Sequence, residues 1–364
     1  KMRLSTCAVS DQKQSSSLSI WAYLFRAKIM GVSISDLSEG SRKIMGRADR
    51  QRERALRQTH EVPQGLQVQI SLPHKAQWTL YHNPFSLCSK KIRVCLAEYE
   101  VDYDSVVIDL IETGCYQNIS REFLKVNPAA TVPVLLHKGH PIYESHEQLG
   151  YVASLANHGD LLLPRDAQAR QVMDKWVEKT SLLGDDPISS PEATAGNAAP
   201  GLTIPIFASM VANTPVRKIA EGVLFHRIKK RAIFFLLMRL SGLQKTLKLK
   251  PVVDIINRSA IAMAAHMDDL ESALEHSGGP WICGDQFTLA DVGMMVVLDR
   301  LREGDWLDLL VHRRPVICDY WTALQQRPSY QIGCLSFAHP RVTEATAELA
   351  ALKKASLWPS DVPR

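Results

Sequence analysis

A strand, a turn and a helix follow one another in residues 78–98, which read WTLYHNPFSLCSKKIRVCLAE. The first four residues, WTLY, predict a short buried strand, and the Asn-Pro pair behind them predicts a turn. Apolar residues then recur at nearly helical spacing, among them Ile92 and Leu96, which predicts a helix over Ser86–Glu100. The stretch therefore predicts the start of an α/β domain.

The residues that follow complete this domain. The predicted strands are Asp102–Asp109, Thr131–His137 and Pro141–Tyr143, with a short helix near Ser120–Lys125 and another that begins near Ser145. The last two strands flank a Lys-Gly turn and are expected to pair as an antiparallel hairpin. The order β-α-β-α-β-β-α predicts a thioredoxin-like α/β domain over residues 76–158.

Long helical patterns replace the strand signals after Pro164. They predict an all-α second domain over residues 165–340, with an insertion at about 184–250. Within the insertion, Gly184–Pro205 is dense in Pro, Gly, Ala and Ser, which predicts a loop. Residues 341–364 are predicted to form a C-terminal tail. Residues 1–75 are predicted to form a basic, solvated and partly helical extension ahead of both domains.

The composition is that of an ordinary globular protein. The 364 residues are 46% hydrophobic and 22% charged, which excludes a wholly disordered, collagenous or coiled-coil chain. Of the net charge of +5, residues 1–57 contribute twelve basic against five acidic side chains, so the remainder is slightly acidic. A body of this charge, without Walker, RNP or zinc-finger patterns, does not predict nucleic acid as a partner.

The cysteine pattern indicates a reducing compartment. Seven cysteines, an odd number, are scattered without paired spacing, which favours free thiols over a disulfide framework. No CxxC or Cys/His cluster predicts a metal site. The apolar runs are shorter than the ~18 residues that span a bilayer. We expect a cytoplasmic protein, with organellar targeting by the Arg- and Ser-rich front of the chain as the alternative.

The predicted insertion carries an excess of positive charge. Residues 184–250 contain ten basic and four acidic side chains and include the run HRIKKRAIFFLLMRL. Such a basic amphipathic segment fits an anionic membrane or partner surface, which predicts a peripheral membrane contact. It fits equally a helical flap packed on its own domain, and the sequence leaves both interpretations open.

The candidate catalytic residues, Ser86 and Cys88, lie where the first helix is predicted to start. A helix N-terminus presents unpaired N–H groups and a partial positive charge, which stabilise a thiolate. The Ser86 hydroxyl can donate a hydrogen bond to a bound thiolate. Lys90, Lys91 and Arg93 are expected to add positive potential nearby. Equally, Ser86 could serve only as the helix cap and Cys88 only as a packed apolar side chain.

Two further residue pairs predict a peptide site. Val132-Pro133 opens a strand behind an NPAAT turn, and we expect a cis bond that turns the Val132 backbone toward an extended ligand. Glu144-Ser145 lies at a strand-to-helix junction, where N–H groups and the Ser145 hydroxyl can hold a carboxylate while Glu144 faces an ammonium. An amino-acid head, an extended backbone and a thiol at these three places match glutathione.

These motifs together resemble the glutathione S-transferase superfamily. The resemblance rests on LYHNPFSLCSKKIRVCLAE at 80–98, NPAATVPVLLHKGHPIYES at 127–145 and WICGDQFTLADV at 281–292. The SLCSKKIRV segment is most similar to the tetrachlorohydroquinone dehalogenase-like transferases, near the zeta class. The enlarged helical domain is similar to that of the ganglioside-induced differentiation-associated proteins.

The resemblance implies a homodimeric transferase that uses glutathione as co-substrate, needs no metal and acts on a small electrophile. Ser86 matches the thiolate-activating serine of the family. Cys88 matches a cysteine that, in dehalogenase-like members, forms a mixed disulfide with glutathione. Val132, Glu144 and Ser145 match the peptide-binding positions. No residue is assigned to the glycine carboxylate of glutathione.

A capping box is predicted in the second domain. Thr288 is expected to cap a helix and Asp291 to reach back to it, with Phe287 as the preceding apolar staple. The resemblance gives this box a role in folding the helical domain rather than in chemistry.

The leading functional prediction is a detoxifying glutathione transferase, whose thiolate conjugates an electrophile, dehalogenates it reductively or isomerises it. Two alternatives stay open. One is a non-enzymatic, membrane-associated protein that has kept the fold. The other is a thiol-disulfide reductase that relies on Cys88.

Overall fold

The computed structural model describes residues 64–155, 160–184, 186–226 and 228–363. The first of these ranges contains a five-stranded sheet with the spatial order β1-β5-β4-β2-β3. The strands are β1 (Gly65–Leu66), β2 (Trp78–His82), β3 (Asp104–Val107), β4 (Val134–His137) and β5 (His140–Tyr143). β2 and β3 are parallel, and the other neighbouring pairs are antiparallel.

The register of the sheet follows its apolar residues. Leu80 of β2 pairs with Leu135 of β4, which in turn pairs with Ile142 of β5, and all three side chains are fully buried. Directly paired residues of neighbouring strands share a face of the sheet, so the three side chains form one apolar band. Burying each of them stabilises the fold by roughly 1.5–3 kcal/mol.

Three helices cover the sheet: α1 (Leu87–Glu98), α2 (Arg121–Val126) and α3 (Ser145–Leu155), with a 3-10 turn at Gln117–Ile119 ahead of α2. The apolar side chains of α1 and α3 join the same core as the apolar band. Phe123 of α2 belongs to a second cluster, with Val134 and Tyr143. This is the thioredoxin-like order of elements that the sequence predicts.

The second part of the chain is helical, as predicted. Its helices are α4 (Ala167–Lys179), α5 (Ala195–Leu202), α6 (Ile204–Met210), α7 (Val216–Phe225), α8 (Lys229–Thr246), α9 (Lys250–His276), α10 (Leu289–Glu303), α11 (Leu307–Leu310), α12 (Pro315–Gln325), α13 (Pro328–Gly333) and α14 (Pro340–Lys354). Almost every residue of α10 is buried, since it contacts α1 on one side and other helices of its domain on the others. α10 is therefore the central helix of the molecule.

Gly184–Pro205 is not the loop that the sequence predicts. A 3-10 turn at Pro187–Ser189, α5 and the first turn of α6 occupy much of it. The small residues there allow close helix packing, because a Cβ added at Gly201 would lie 2.0 Å from the Ser259 hydroxyl of α9. Small residues serve both loops and close backbone approach, so composition alone gave the wrong answer.

The insertion packs on its own domain. Ala232, Phe235 and Met238 of α8 are buried in the main apolar core. This buried face of α8 therefore fits the interpretation of the insertion as a helical flap packed on its own domain. On the other side of α8, Leu237 and Leu240 are each 47% exposed. None of the described helices combines the length and the hydropathy needed to cross a membrane.

The folded part extends past two predicted boundaries. Ahead of residue 76, β1 pairs with β5 and the Gln67 N–H donates to the Pro141 carbonyl at 2.9 Å, so the sheet begins earlier than expected. At the other end, the Trp358 ring meets Trp306 edge-on with 6.0 Å between ring centroids. The predicted tail thus contains α14 and contributes to the helical core. Of the predicted N-terminal extension, residues 1–63 lie outside the described ranges.

Candidate active site

The motifs predicted from the sequence lie along one edge of the sheet, the edge at which β2 and β5 end and β4 begins. Tyr81, near the end of β2, pairs with Val134, the first residue of β4. β5 also runs antiparallel to β4 and ends just before Glu144. The C-terminal ends of β2 and β5 therefore meet the N-terminal end of β4. This arrangement gathers the turn leading to Ser86, the segment at Val132 and the junction at Glu144 along one edge.

Ser86 caps α1, as the simpler interpretation predicts. Its Oγ accepts a hydrogen bond from the Ser89 N–H at 3.3 Å, and the side chain is half-buried. This bond uses a lone pair of the oxygen, so the hydroxyl proton can be donated to another acceptor. Cys88 in the first turn of α1 is also half-buried. Capping and donation to a thiolate are therefore compatible roles for Ser86.

Asn83 stabilises the turn ahead of α1. From the sequence, Asn83 was predicted only as part of that turn. Its Oδ1 accepts hydrogen bonds from the N–H groups of Phe85 and Ser86 at 2.9 and 3.2 Å. Its Nδ2 donates to the Ile108 carbonyl at 2.9 Å and to the Thr113 hydroxyl at 3.0 Å. The buried amide thus joins this turn to the segment after β3 and fixes the position of Ser86.

The three basic side chains expected beside Cys88 are all buried and bonded to the helical domain, which corrects the prediction for Lys90 and Arg93. Lys90 is buried, and its Nζ lies 2.5 Å from a carboxylate oxygen of Asp299 on α10. Arg93 is buried too, and its Nε donates to the Gly333 carbonyl at 2.7 Å. Both side chains hold α1 against the helical domain. The sequence does not show this, because the partners lie some two hundred residues away.

Lys91 and Arg300 interact electrostatically with Cys88. The Lys91 Nζ donates to the Thr180 carbonyl at 2.6 Å, and burial lowers the pKa of Lys91 to about 8 although Cys88 opposes the shift. Arg300 donates to the Phe85 carbonyl oxygen, and its guanidinium carbon lies 3.5 Å from the centroid of the Phe85 ring. Lys91 was predicted from the sequence and Arg300 was not. Both are cations, so they add positive potential around Cys88.

The Val132-Pro133 peptide bond is cis, as predicted. Gln148 of α3 supports the adjoining backbone, since its Nε2 donates to the carbonyl oxygens of Pro133 at 3.0 Å and Ile142 at 2.8 Å. Gln148 is fully buried and was not identified from the sequence. No sequence signal distinguishes it from other polar residues in the first turns of helices.

Glu144 and Ser145 form the junction between β5 and α3. Glu144 is exposed and has a φ of 64°, in the left-handed region that non-glycine residues rarely adopt. Its carbonyl accepts the Gln148 N–H at 3.0 Å, which starts the helix. Backbone conformations of this kind occur at functional sites as well as in ordinary turns, so the geometry is compatible with a role of Glu144 in the site.

The predicted capping box is present at the start of α10. The Asp291 carboxylate accepts hydrogen bonds from the N–H groups of Thr288 at 2.8 Å and Ile282 at 3.0 Å, and from the Tyr320 hydroxyl at 2.9 Å. Asp291 is completely buried, which raises its pKa to about 6 despite these bonds. Phe287 packs edge-on against an aromatic neighbour in the preceding turn. These contacts support a structural role.

The insertion reaches the turn ahead of α1. Phe207 of α6 packs edge-on against Phe85, with 5.7 Å between ring centroids, and Phe235 of α8 packs against Phe207 at 5.2 Å. Nearby, Arg231 of α8 lies 3.5 Å from a carboxylate oxygen of Glu112, in the segment after β3. The sequence did not single out these residues, since only the folded chain brings the insertion to this place.

Six cysteines lie within the described ranges, and all are free thiols: Cys88, Cys95, Cys115, Cys283, Cys318 and Cys334. Cys7 lies outside those ranges. Burial raises the pKa of Cys283 to about 11 and that of Cys334 to about 12, which makes both poor nucleophiles. Among the described residues, no group of three or more His, Cys, Asp and Glu side chains is placed to hold a metal ion.

Two family models match the chain. The model for the N-terminal domain of glutathione S-transferase matches residues 85–155, and the model for its C-terminal domain matches residues 260–331. The matches cover most of the α/β domain and the helices around the capping box, and the insertion lies between them. The chain therefore belongs to the glutathione S-transferase superfamily.

Individual relatives refine this assignment. The glutathione S-transferase TCHQD of Arabidopsis thaliana is 27% identical over 256 residues, which is 69% of this chain and 87% of the relative. The tetrachloro-p-hydroquinone reductive dehalogenase of Sphingobium chlorophenolicum is 21% identical over 261 residues, 70% of this chain and 94% of the relative. The expected similarity to dehalogenase-like transferases is thus confirmed.

A solved structure shows the same fold. The β-etherase LigF from Sphingobium sp. strain SYK-6 superposes with a TM-score of 0.56 at 18% sequence identity. The match covers 72% of this chain and the whole of that chain. At this level of identity the likeness concerns the fold alone.

Proposed function

We propose that this glutathione transferase activates glutathione with the Ser86 hydroxyl and the N-terminus of α1. The observation that supports the proposal is the sheet edge shared by Ser86, Val132 and the Glu144-Ser145 junction. That edge offers a hydroxyl at a helix start, the half-buried backbone of Val132 and a second helix start beside a carboxylate. Glutathione has a thiol, an extended peptide and an amino-acid head to match them.

In the proposed binding mode, each part of glutathione contacts a different one of these protein groups. The N–H groups and hydroxyl at Ser145 hold the α-carboxylate of the γ-glutamyl residue, while Glu144 pairs with its ammonium. The cysteinyl residue of glutathione pairs with the Val132 backbone as an added strand would. The sulfur then lies beside Ser86, whose hydroxyl donates a hydrogen bond to it.

This placement explains conjugation. The Ser86 O–H and the partial positive charge at the start of α1 stabilise the thiolate more than the thiol, so they lower the pKa of the bound glutathione. The thiolate attacks the electrophilic carbon, a sulfur–carbon bond forms, and a leaving group such as halide departs with its electron pair. With a conjugated dienoic acid, reversible addition of the thiolate gives isomerisation instead.

Cys88 adds a reductive second step for aromatic halides and quinones. Its thiolate attacks the sulfur of the glutathionyl adduct, the sulfur–carbon bond breaks, and the carbon keeps the electron pair and takes up a proton. This leaves a mixed disulfide between Cys88 and glutathione, which a second glutathione thiolate resolves to glutathione disulfide. The similarity to a relative named as a reductive dehalogenase supports this substrate class.

The proposal is tested by capture on immobilised glutathione, followed by a panel of an aryl halide, a halogenated hydroquinone and a conjugated dienoic acid. We expect retention on the glutathione resin and turnover of at least one electrophile. Retention without any turnover would contradict the transferase and favour the non-enzymatic alternative.

A thiol-disulfide reductase is a second candidate, supported by the half-buried Cys88 near Lys91 and Arg300. It requires glutathionylation of Cys88 without any electrophile. Intact-mass analysis after incubation with glutathione disulfide detects that adduct. The same measurement on Cys88→Ala shows whether another thiol reacts.

We also propose that the outer face of α8 makes a peripheral contact with an anionic membrane. Leu237 and Leu240 are each 47% exposed, and Lys230 at the start of the helix is exposed as well. We expect flotation with vesicles of phosphatidylcholine and phosphatidylserine but not with phosphatidylcholine alone. The double variant Leu237→Ser, Leu240→Ser should lose this binding. Absence of flotation in the unmodified protein would remove the proposal.

We further propose a cytoplasmic homodimer, as is typical of the family. Light scattering coupled to size-exclusion chromatography measures the mass in solution. A monomeric mass at micromolar concentration would contradict the dimer. Cell fractionation separates a cytoplasmic location from an organellar one.

A further inference from the structure

The insertion carries aromatic side chains to the proposed catalytic turn. Phe85 immediately precedes Ser86, and its ring contacts Phe207, which contacts Phe235 of α8. Neither family model covers the segment that supplies the last two rings. The insertion therefore packs directly behind the proposed catalytic turn.

Charged groups form a second connection between the insertion and the site. Arg231 of α8 lies 3.5 Å from Glu112, whose side chain is only 4% exposed. Glu112 also interacts electrostatically with Arg300, and Arg300 with Cys88. Arg231 is thus joined to the surroundings of Cys88 through two neighbouring charges, in parallel with the aromatic contacts.

The insertion is held firmly at this place. A Cβ added at Gly222 of α7 would lie 2.3 Å from the Tyr116 ring, so α7 contacts the segment after β3 directly. The His226 ring lies 5.6 Å from the same tyrosine ring, between centroids. Because Glu112 and Tyr116 belong to one segment, these contacts fix where α8 presents Arg231.

Arg231 nevertheless keeps an accessible guanidinium. Its side chain is 46% exposed, and within the described ranges its hydrogen bond to Glu112 engages one nitrogen, Nη2. A guanidinium has five N–H donors in a planar fork, which can donate two parallel hydrogen bonds to a carboxylate or two converging ones to a single phenolate oxygen. Its guanidinium carbon also lies 5.6 Å from the centroid of the buried Phe235 ring.

We propose that Arg231 is a specificity-determining residue that binds an anionic substituent of an aromatic electrophile. The inference rests on the proposed transferase function and names the acceptor class for that site. Glu112 acts as a positioning residue, since its buried carboxylate holds one side of the guanidinium and leaves the other open. The insertion thereby selects ring compounds that carry a carboxylate or an ionised hydroxyl.

The test compares two aryl chlorides of different charge, neutral 1-chloro-2,4-dinitrobenzene and anionic 4-chloro-3,5-dinitrobenzoate, in Arg231→Ala, Arg231→Lys and the unmodified protein. In Arg231→Ala we expect the ratio of kcat/KM for the anionic over the neutral acceptor to fall about tenfold, the loss of one charge-assisted hydrogen bond. The lower ratio should come from a higher KM for the anionic acceptor. Arg231→Lys keeps the charge without the fork and should fall less.

Lys230→Ala is the matched control, because Lys230 is the exposed neighbour on α8. It should leave the ratio unchanged. Raising the ionic strength should increase KM for the benzoate in the unmodified protein and much less in Arg231→Ala. Equal ratios in Arg231→Ala and the unmodified protein would overturn the inference while leaving the transferase intact. Absence of turnover with both acceptors in the unmodified protein would overturn the proposed function itself, and the inference with it.

Discussion

The buried ammonium of Lys90 lies 2.5 Å from a carboxylate oxygen of Asp299, and this ion pair joins α1 to α10. Glu303 accepts a second hydrogen bond from Lys90 at 2.6 Å, and the Tyr330 hydroxyl donates to Asp299 at 2.8 Å. Burial alone would raise the pKa of Asp299, but Lys90 and Arg302 hold it well below its usual range. The helix that starts at the proposed catalytic residues is thus tied electrostatically to the helical domain.

Asp299→Asn should destabilise the protein by about 3–5 kcal/mol, since it leaves buried cations short of a carboxylate. Because the folded pKa of Asp299 is lowered, its stabilising contribution is complete at neutral pH and is lost as the pH falls toward that pKa. Urea unfolding of both proteins at pH 7 measures the first effect, and repeating it at about pH 2, below the ordinary pKa of an aspartate, measures the second. The exposed pair Lys250 and Asp254 supplies the control, and Asp254→Asn should cost less than about 1 kcal/mol. Equal losses in the two variants would contradict the structural importance of the buried pair.

Ser86→Ala should slow conjugation by about a hundredfold, the effect of removing one donor to a reacting anion. The pH at which bound glutathione ionises should rise, which absorbance at 240 nm detects. The lost cap costs about 1 kcal/mol as well, so unfolding curves must accompany the kinetics. A normal ionisation profile in a folded Ser86→Ala variant would show that Ser86 only caps the helix.

Cys88→Ala should abolish reductive dehalogenation but keep conjugation, because only the reductive step needs a second thiol. Product analysis with a halogenated hydroquinone should then show that the glutathionyl adduct accumulates. Cys318→Ala is the matched control, since Cys318 is a half-buried thiol on α12, and it should behave as the unmodified protein does. Complete reduction by Cys88→Ala would rule out the proposed role.

Lys91→Met should lower the rate of Cys88 alkylation by iodoacetamide at pH 7, because it removes a positive charge that interacts with Cys88. Mass spectrometry of the labelled peptide gives the rate at this cysteine alone. Lys230→Met removes an exposed charge and should leave the rate unchanged. The same rate in both variants would show that Lys91 does not act on Cys88.

Lys91→Met should also change the pH dependence of stability. Burial lowers the folded pKa of Lys91 to about 8, below its ordinary value of 10.5, so the unfolded chain binds more protons between these two pH values. Stability of the unmodified protein should therefore rise relative to Lys91→Met by roughly 3 kcal/mol from pH 8 to pH 10.5. Parallel unfolding free energies for the two proteins across this window would contradict the lowered pKa.

Asp291→Ala should cost about 2–4 kcal/mol of stability, because it removes the cap of α10 and leaves buried donors without their acceptor. Thermal unfolding measures the loss. In the folded variant, KM for glutathione should stay close to that of the unmodified protein, since Asp291 lies in the helical domain and contacts none of the proposed glutathione residues. A large rise in KM with normal stability would assign Asp291 to the site instead.

Much of the candidate site could be predicted because its signals are local. Ser86 and Thr288 are caps, and each is marked by a few neighbouring residues at fixed offsets. The Val132-Pro133 bond and the Glu144-Ser145 junction are likewise read from short motifs. Arg300 and Gln148 were missed, since their role depends on carbonyl groups that come close only in the folded chain.

The wrong predictions share one cause. Gly184–Pro205 has the composition of a loop, but its small residues form helices where another helix approaches closely. Lys90 and Arg93 were expected to add positive potential near Cys88, but both are buried and bonded to the second domain. Local sequence does not record which surface of an element another element will cover.

The amino-acid sequence by itself determined the order of elements in the α/β domain, the starts of α1, α3 and α10, and the positions of the glutathione motifs. These properties depend on periodicity, capping and turn chemistry, which act over a few residues. Only the tertiary structure decided which charges remain near Cys88 and that the insertion adjoins the site through Arg231 and Phe207. Burial and electrostatic pairing join residues far apart in the chain, so they exist only once the chain has folded.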